Sequence, residues 1–96
     1  MRLSPLQSYI LRFCYSAKSP RVNRTPFSAF YSNPAKRPAD ITDVITKSLE
    51  RLIGRGLLVG YGERTAEKWF IRDVRLTPAG RRTAKSLFGR QQRLKF

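Results

Sequence analysis

The chain has 96 residues, of which 41% are hydrophobic, and its 20 lysines and arginines against 6 acidic residues give a formal net charge of +14. This length predicts a single domain, residues 1–96, built around one hydrophobic core. Histidine is absent and Cys14 is the single cysteine, which excludes an internal disulfide and a zinc site of the usual His/Cys kind. No apolar run approaches the ~20 residues of a membrane span, so we expect a cytoplasmic protein with no membrane association.

The basic side chains are concentrated towards the two ends of the chain. Residues 1–38 carry seven lysines and arginines and residues 74–96 carry seven more, whereas all six acids lie between positions 40 and 73. Positive charges at this density repel one another in a folded monomer unless a polyanion neutralises them. Nucleic acid is the predicted polyanion, because each neutralised phosphate releases counterions. An anionic membrane surface and an acidic protein are the alternatives.

A first helix is predicted from Ser4 to shortly before Ser19-Pro20. Ser4 can cap it, Pro5 suits the first turn, and Gln7 stands where a capping box requires it. Cys14 flanks the apolar face and is interpreted as a core residue. That face recurs at helical spacing and consists of Leu6, Ile10, Phe13 and Ala17.

A second, short helix follows an extended segment at residues 21–24. Thr25-Pro26 repeats the combination of a cap and a proline at the helix start. Its apolar face is formed by Phe27, Phe30 and Tyr31, and the two prolines of residues 33–38 end it.

The third predicted helix is the main candidate for a nucleic-acid contact. Asp40 can cap it, Asp43 lies near its positive end, and Gly56 can end it in the left-handed conformation. Its buried stripe is predicted to be Ile41, Val44, Ile45, Leu49, Leu52 and Ile53. Its outer side is predicted to carry Thr42, Thr46, Lys47, Glu50 and Arg51. Hydroxyls and cations on such a face suit base edges and phosphates, which selects Thr42, Thr46, Lys47 and Arg51 as DNA-binding candidates. The alternative is the ordinary solvated face of an amphipathic helix.

A β-hairpin is predicted from residues 57–59 and 69–71, which have strand composition and flank a polar segment that can turn. Arg64 and Lys68 flank the predicted tip and are candidate DNA contacts. Arg72 is a further candidate, which either clamps a phosphate or lines an exposed edge. Trp69 is expected to be partly exposed and to pack on the first or last helix, with a stacking platform for unpaired bases as the alternative.

A last helix is predicted from Pro78 to about Phe88, capped by Thr77. Residues 89–96 either extend this helix or form a loose tail. Its apolar side chains can pack on the first helix or form a dimer seam, and we expect a homodimer through the first and last helices.

The sequence offers little for catalysis or cofactor binding. Without histidine there is no Ser-His-Asp or Cys-His arrangement, and the phosphate-binding glycine patterns are missing. We therefore expect no enzymatic activity, no catalytic or metal-binding residues, no cofactor and no small-molecule ligand.

Two segments indicate a helix followed by a hairpin and a second helix. They are Leu49-x-x-Leu52-x-x-x-Gly56-Leu57-Leu58 and Val74-x-Leu76-Thr77-x-x-Gly80-Arg81. In these segments the chain resembles the winged helix-turn-helix DNA-binding regulators, most closely the MarR-like and PadR-like group in reduced form. The resemblance implies an α+β fold with a three-helix core, a β-hairpin wing and a C-terminal helix. It also implies a homodimer with the third helix in the major groove and the wing on the backbone or minor groove.

The resulting prediction is a sequence-specific protein that binds double-stranded DNA and regulates transcription. The principal alternative is an RNA- or ribosome-associated basic winged-helix protein. A third interpretation is a protein-interaction module that uses the same faces for a protein partner.

Overall fold

The computed structural model describes residues 3–31, 39–67 and 69–94, with side chains through residue 88. It confirms the predicted α+β class and the order of elements. Within these residues no helix combines the length and apolarity needed to cross a bilayer. The elements are α1 (Pro5–Ser16), β1 (Arg21–Asn23), a 3₁₀ helix (Thr25–Tyr31), α2 (Ile41–Gly54), β2 (Leu58–Arg64), β3 (Trp69–Leu76) and α3 (Pro78–Leu94).

The predicted helix signals act as expected. The Ser4 hydroxyl accepts from the Gln7 amide at 3.1 Å, and the Gln7 side chain accepts from the Ser4 amide at 3.0 Å, which completes the capping box of α1. The Asp40 carboxylate accepts from the Asp43 amide at 3.0 Å and caps α2. Gly56 has a φ of 76°, the left-handed conformation that ends α2.

The three strands form an antiparallel sheet in the order β1-β3-β2. The short extended segment expected after α1 is therefore an edge strand, and β3 is the central one. Tyr61 lies opposite Asp73 but Gly62 lies opposite Ile71, so Arg72 is an extra residue in β3. This bulge brings Arg72 and Asp73 to the same side of the sheet, although they are consecutive in the chain.

One hydrophobic core lies between the helices and the sheet. Leu11 is fully buried beside Ile10, whereas Phe13, which was predicted for the core face of α1, is only partly buried. The prediction that Cys14 is a core residue is confirmed, and its burial raises the pKa of the thiol to about 12. The largest fully buried side chains are Phe27, Ile10, Leu11, Leu49, Leu52, Ile71 and Val74.

The junction between α2 and α3 is fixed by hydrogen bonds around Thr77. Its hydroxyl donates to the Gly56 carbonyl at 2.6 Å and accepts from the Gly80 amide at 3.0 Å, while its own amide donates to the Leu57 carbonyl at 3.1 Å. A methyl group at Gly80 would lie 2.0 Å from the Leu57 carbonyl oxygen. The Thr77-x-x-Gly80 pattern thus seats the start of α3 directly on the end of α2.

The last helix is longer than expected. It was predicted to end at about Phe88, whereas α3 continues to Leu94. Of the two alternatives for residues 89–96, helix extension is therefore observed as far as the described residues reach. Tyr15 of α1 meets Phe88 of α3 with their ring centroids 5.5 Å apart, so the first and last helices pack together.

Candidate nucleic-acid interface

Three of the four side chains predicted for the outer face of α2 are exposed, but Thr42 and Arg51 are nine residues apart and so lie on opposite sides of the helix. Thr42, Lys47 and Arg51 are exposed. The Lys47 ammonium forms an ion pair with the Asp43 carboxylate at 3.1 Å, one helical turn away. Both side chains are well exposed, and such pairs contribute only about 0.3–0.5 kcal/mol. This pair is therefore weak enough for Lys47 to exchange Asp43 for a phosphate.

Thr46 does not lie on this outer face, so its predicted position is wrong. Its relative exposure is 6%, and it is one of two buried polar residues among those the structure describes. The physical reason is helical phase, because Thr46 precedes Ile53 by seven residues, about two turns, and so lies on the same side of the helix. That side faces the hairpin rather than solvent.

Arg24 anchors the first turn of α2, a role that no sequence pattern indicated. Its guanidinium donates to the Ile71 carbonyl at 3.1 Å and to the Thr42 carbonyl at 2.9 Å. Its backbone amide donates to the Arg72 carbonyl at 3.1 Å. Burial lowers the pKa of this guanidinium, since desolvation disfavours the charged form. Arg24 therefore fixes the start of α2 relative to the central strand.

The hairpin places Arg64 beside the aromatic ring of Trp69. Arg64 ends β2, is exposed, and has its guanidinium carbon 4.9 Å from the centroid of that ring. A methyl group at Gly60 would meet both Ile53 and Trp69 within 3.0 Å, so the indole lies against α2. Trp69 is partly buried as expected, but it packs towards α2 and not on the first or last helix. Lys68 lies outside the described residues.

An open groove of about 760 Å³ separates α2 from the hairpin. Its described lining contains the acidic side chains of Asp43, Glu50 and Glu67, and the basic ones of Lys47 and Arg64. Among the described lining residues, acids therefore outnumber bases by three to two. Among the described residues, no group of three or more His, Cys, Asp and Glu side chains could hold a metal ion.

The predicted contacts divide between two surfaces. Lys47 and Arg64 line the same groove. Arg51 is exposed one turn after Lys47, whereas Thr42 is exposed in the first turn, on a different side of α2. Arg72 lies on the opposite face of the sheet, because the neighbouring Ile71 points into the core. The structure therefore brings Lys47 of α2 together with Arg64 of the hairpin but leaves Arg72 apart from them.

Comparison with known proteins identifies the fold. No protein-family model matches the sequence, and no curated protein shows significant sequence similarity to it. The structure is similar to the adhesin competence repressor AdcR of Streptococcus pyogenes, with a TM-score of 0.66 and 15% identity over 97% of this chain. It is also similar to ZitR of Lactococcus lactis, with a TM-score of 0.63 and 16% identity over 95% of this chain. A probable transcriptional regulator of Pseudomonas aeruginosa matches 97% of the chain with a TM-score of 0.61 and 17% identity.

These similarities establish a winged-helix fold, as the sequence resemblance implied. The chain spans 60–62% of the length of these three structures. In this fold the β2–β3 hairpin is the wing. Helix α2 corresponds to the third helix predicted from the sequence.

Proposed function

We propose that this chain binds double-stranded DNA in a sequence-specific manner and regulates transcription. In this proposal α2 enters the major groove, the wing contacts the backbone or minor groove, and the chain is a reduced relative of the MarR-like and PadR-like regulators. The observation that carries the proposal is the exposure of Lys47 and Arg51, which lie one helical turn apart on α2, with Lys47 in the same groove as Arg64 of the wing. The net charge of +14 supports a polyanionic partner.

Each side chain has a distinct role in this arrangement. Thr42 lies in the first turn of α2, where the positive end of the helix dipole favours a phosphate. Arg51 suits a bidentate contact with a guanine or a backbone contact. Lys47 supplies a point charge once Asp43 is displaced. Arg64 places a cation at the wing, and Lys68 is proposed to act beside it at the tip.

Two other predicted contacts are not part of the proposed duplex interface. Thr46 is too deeply buried to reach a duplex and is not part of the proposal. Arg72 lies on the far face of the sheet, so the duplex interface does not depend on it.

We further propose a homodimer through α1 and α3, which would present two α2 helices to the two half-sites of an operator. The partly buried rings of Tyr15 and Phe88, together with the partly buried side chain of Leu87, support this choice of surface. Sedimentation equilibrium at micromolar protein, with and without DNA, is expected to show a dimer. A monomer under both conditions would contradict this part of the proposal.

Alanine substitutions on α2 test the reading helix directly. With a duplex enriched from a random library, Lys47→Ala and Arg51→Ala are each expected to weaken binding by about 1–3 kcal/mol where the side chain contacts a base. Where it contacts phosphate, the salt dependence should become shallower. Lys18→Ala, in the loop between α1 and β1, is the matched control, since it removes one exposed positive charge outside α2, the wing and α3.

The comparison with the control decides the assignment. If both α2 variants behave like Lys18→Ala, α2 does not read DNA. An RNA- or ribosome-associated role is the alternative function, and it would appear as stronger binding to structured RNA that neither α2 variant weakens.

A further inference from the structure

The face of the sheet turned away from the core has an unusual composition. Phe70 lies on it with a relative exposure of 53%, and it is the one large hydrophobic side chain classed as exposed among the described residues. A single exposed aromatic residue is common on soluble proteins and has no significance by itself. The neighbours of Phe70 on the same face make it significant.

Strand register places a second aromatic residue on this face. Phe70 lies opposite Glu63, and Tyr61 lies opposite Asp73, two residues before Glu63 in β2. Side chains two apart in a strand point to the same face, so the rings of Tyr61 and Phe70 are diagonal neighbours on it. The guanidinium carbon of Arg21 lies 4.1 Å from the centroid of the Tyr61 ring and covers it.

Two further arginines lie along the same strand face. Arg72 and Arg75 are both exposed, and the bulge keeps them on the same side as Phe70. Arg75 is directly opposite Arg21 across the strands, an arrangement in which like charges repel. Asp73 neutralises Arg21 at 3.2 Å. Within the described residues, neither Arg72 nor Arg75 has an ion-pair partner, so both can receive a phosphate.

A recess of about 320 Å³ opens beside the Phe70 ring. This volume is at the lower end of the range for small-ligand pockets and can admit a single planar base. Its lining also contains Glu63, Arg24 and Arg72, of which Arg24 is engaged with the Ile71 and Thr42 carbonyls. The recess therefore combines an aromatic surface, the cation of Arg72 and one acceptor for a base amine.

We propose that this outer sheet face, defined by Tyr61, Phe70, Arg72 and Arg75, binds single-stranded DNA. An unpaired base would stack on Phe70 while Arg72 and Arg75 contact the phosphates on either side. A duplex is a poor ligand here, because its base faces are covered by neighbouring bases. This site is on a different surface from the α2 interface and does not depend on duplex binding.

Three polar groups at the β1 edge of this face are engaged with one another. The Asn23 amide donates to the Asp73 carboxylate at 3.1 Å, and that carboxylate also accepts from Arg21. The Asn23 oxygen accepts from the Thr25 amide at 2.8 Å. A ribose 2′-hydroxyl, the group by which proteins distinguish RNA from DNA, would have to compete with these contacts, and we therefore propose DNA as the ligand.

The test uses fluorescence anisotropy with a labelled oligothymidylate, an oligouridylate of equal length and a random-sequence duplex, all with the full chain. Phe70→Ala is expected to weaken oligothymidylate binding about tenfold, the usual loss for one stacked base, and to leave duplex affinity within about twofold. Phe70→Trp should retain binding because it keeps the stacking surface. Arg51→Ala should show the reverse pattern, with weaker duplex binding and unchanged oligothymidylate binding. Circular dichroism verifies that each variant is folded.

Several outcomes would overturn the proposal. They are absence of oligothymidylate binding by the unaltered chain, equal binding by Phe70→Ala, or tighter binding of oligouridylate than of oligothymidylate. If the unaltered chain binds no duplex but Phe70→Ala still loses oligothymidylate, the proposed function fails and the single-strand site stands.

Discussion

Replacement of Gly80 by alanine should strain the junction on which the whole domain depends. The added methyl carbon would lie 2.0 Å from the Leu57 carbonyl oxygen and 2.9 Å from its carbon. Backbone atoms of a central junction cannot swing aside as the end of a flexible side chain can. The start of α3 must therefore move away from Leu57 by about 1 Å or more to restore ordinary contact distances.

That movement acts on the hydrogen bonds of Thr77 to Gly56 and Leu57, which measure 2.6 and 3.1 Å. Each such bond contributes about 0.5–1.5 kcal/mol, and overpacking a well-filled site costs about 1–3 kcal/mol. The expected loss in the free energy of unfolding is therefore about 2–6 kcal/mol. Domains of this size have a total stability of about 5–14 kcal/mol, so the effect should be large.

Urea denaturation followed by circular dichroism measures this loss, and Gly54→Ala is the matched control. No atom lies within 4 Å of a methyl group built at Gly54, which is the last residue of α2. Alanine there should be neutral or stabilising by up to about 1 kcal/mol because of its higher helix propensity. A loss below about 1 kcal/mol for Gly80→Ala would refute the reasoning that this close contact seats α3.

Three further changes test other parts of the structure. Arg24→Lys should lower the free energy of unfolding by about 1–2 kcal/mol in urea denaturation. The reason is that one ammonium does not reproduce two guanidinium hydrogen bonds to carbonyls of separate elements. An unchanged free energy of unfolding would contradict the anchoring role of Arg24. Gly62→Ala should deform the wing and lower the melting temperature, because the alanine methyl group would lie 1.9 Å from the Phe70 carbonyl oxygen. An unaltered melting temperature would show that the wing adapts freely. Cys14 should react with a thiol reagent at pH 8 only in denaturant, since its folded pKa is about 12. Above the ordinary value of 9.0 the unfolded thiol ionises first, so the stability advantage of the unaltered chain over Cys14→Ala should shrink as pH rises from 9 towards 12.

Local signals were sufficient to predict much of the fold. The Ser4–Gln7 capping box, the cap at Asp40 and the left-handed Gly56 depend on residues within one or two turns, and all were confirmed. Arg21–Asn23 was predicted as extended but its pairing with β3 was not, since strand partners are set by tertiary packing.

The remaining features depend on contacts that are distant in sequence. Thr46 was misplaced because a threonine among charged residues resembles a surface position, whereas its phase relative to Ile53 directs it inwards. The bulge at Arg72 carries no local marker in the sequence, although it decides which residues share a sheet face. Arg24 joins Ile71 and Thr42, which only the folded chain brings within its reach.

The central claim is that α2 reads double-stranded DNA. Its most direct test is binding of the chain to random-sequence duplex DNA and to structured RNA of equal length across a salt series, followed by sequencing of the bound duplexes. Reading by α2 predicts preference for duplex DNA, a steep decline of affinity with salt, and enrichment of a defined sequence. Equal or stronger binding to RNA with no enriched duplex would contradict it and leave α2 as a packed structural helix.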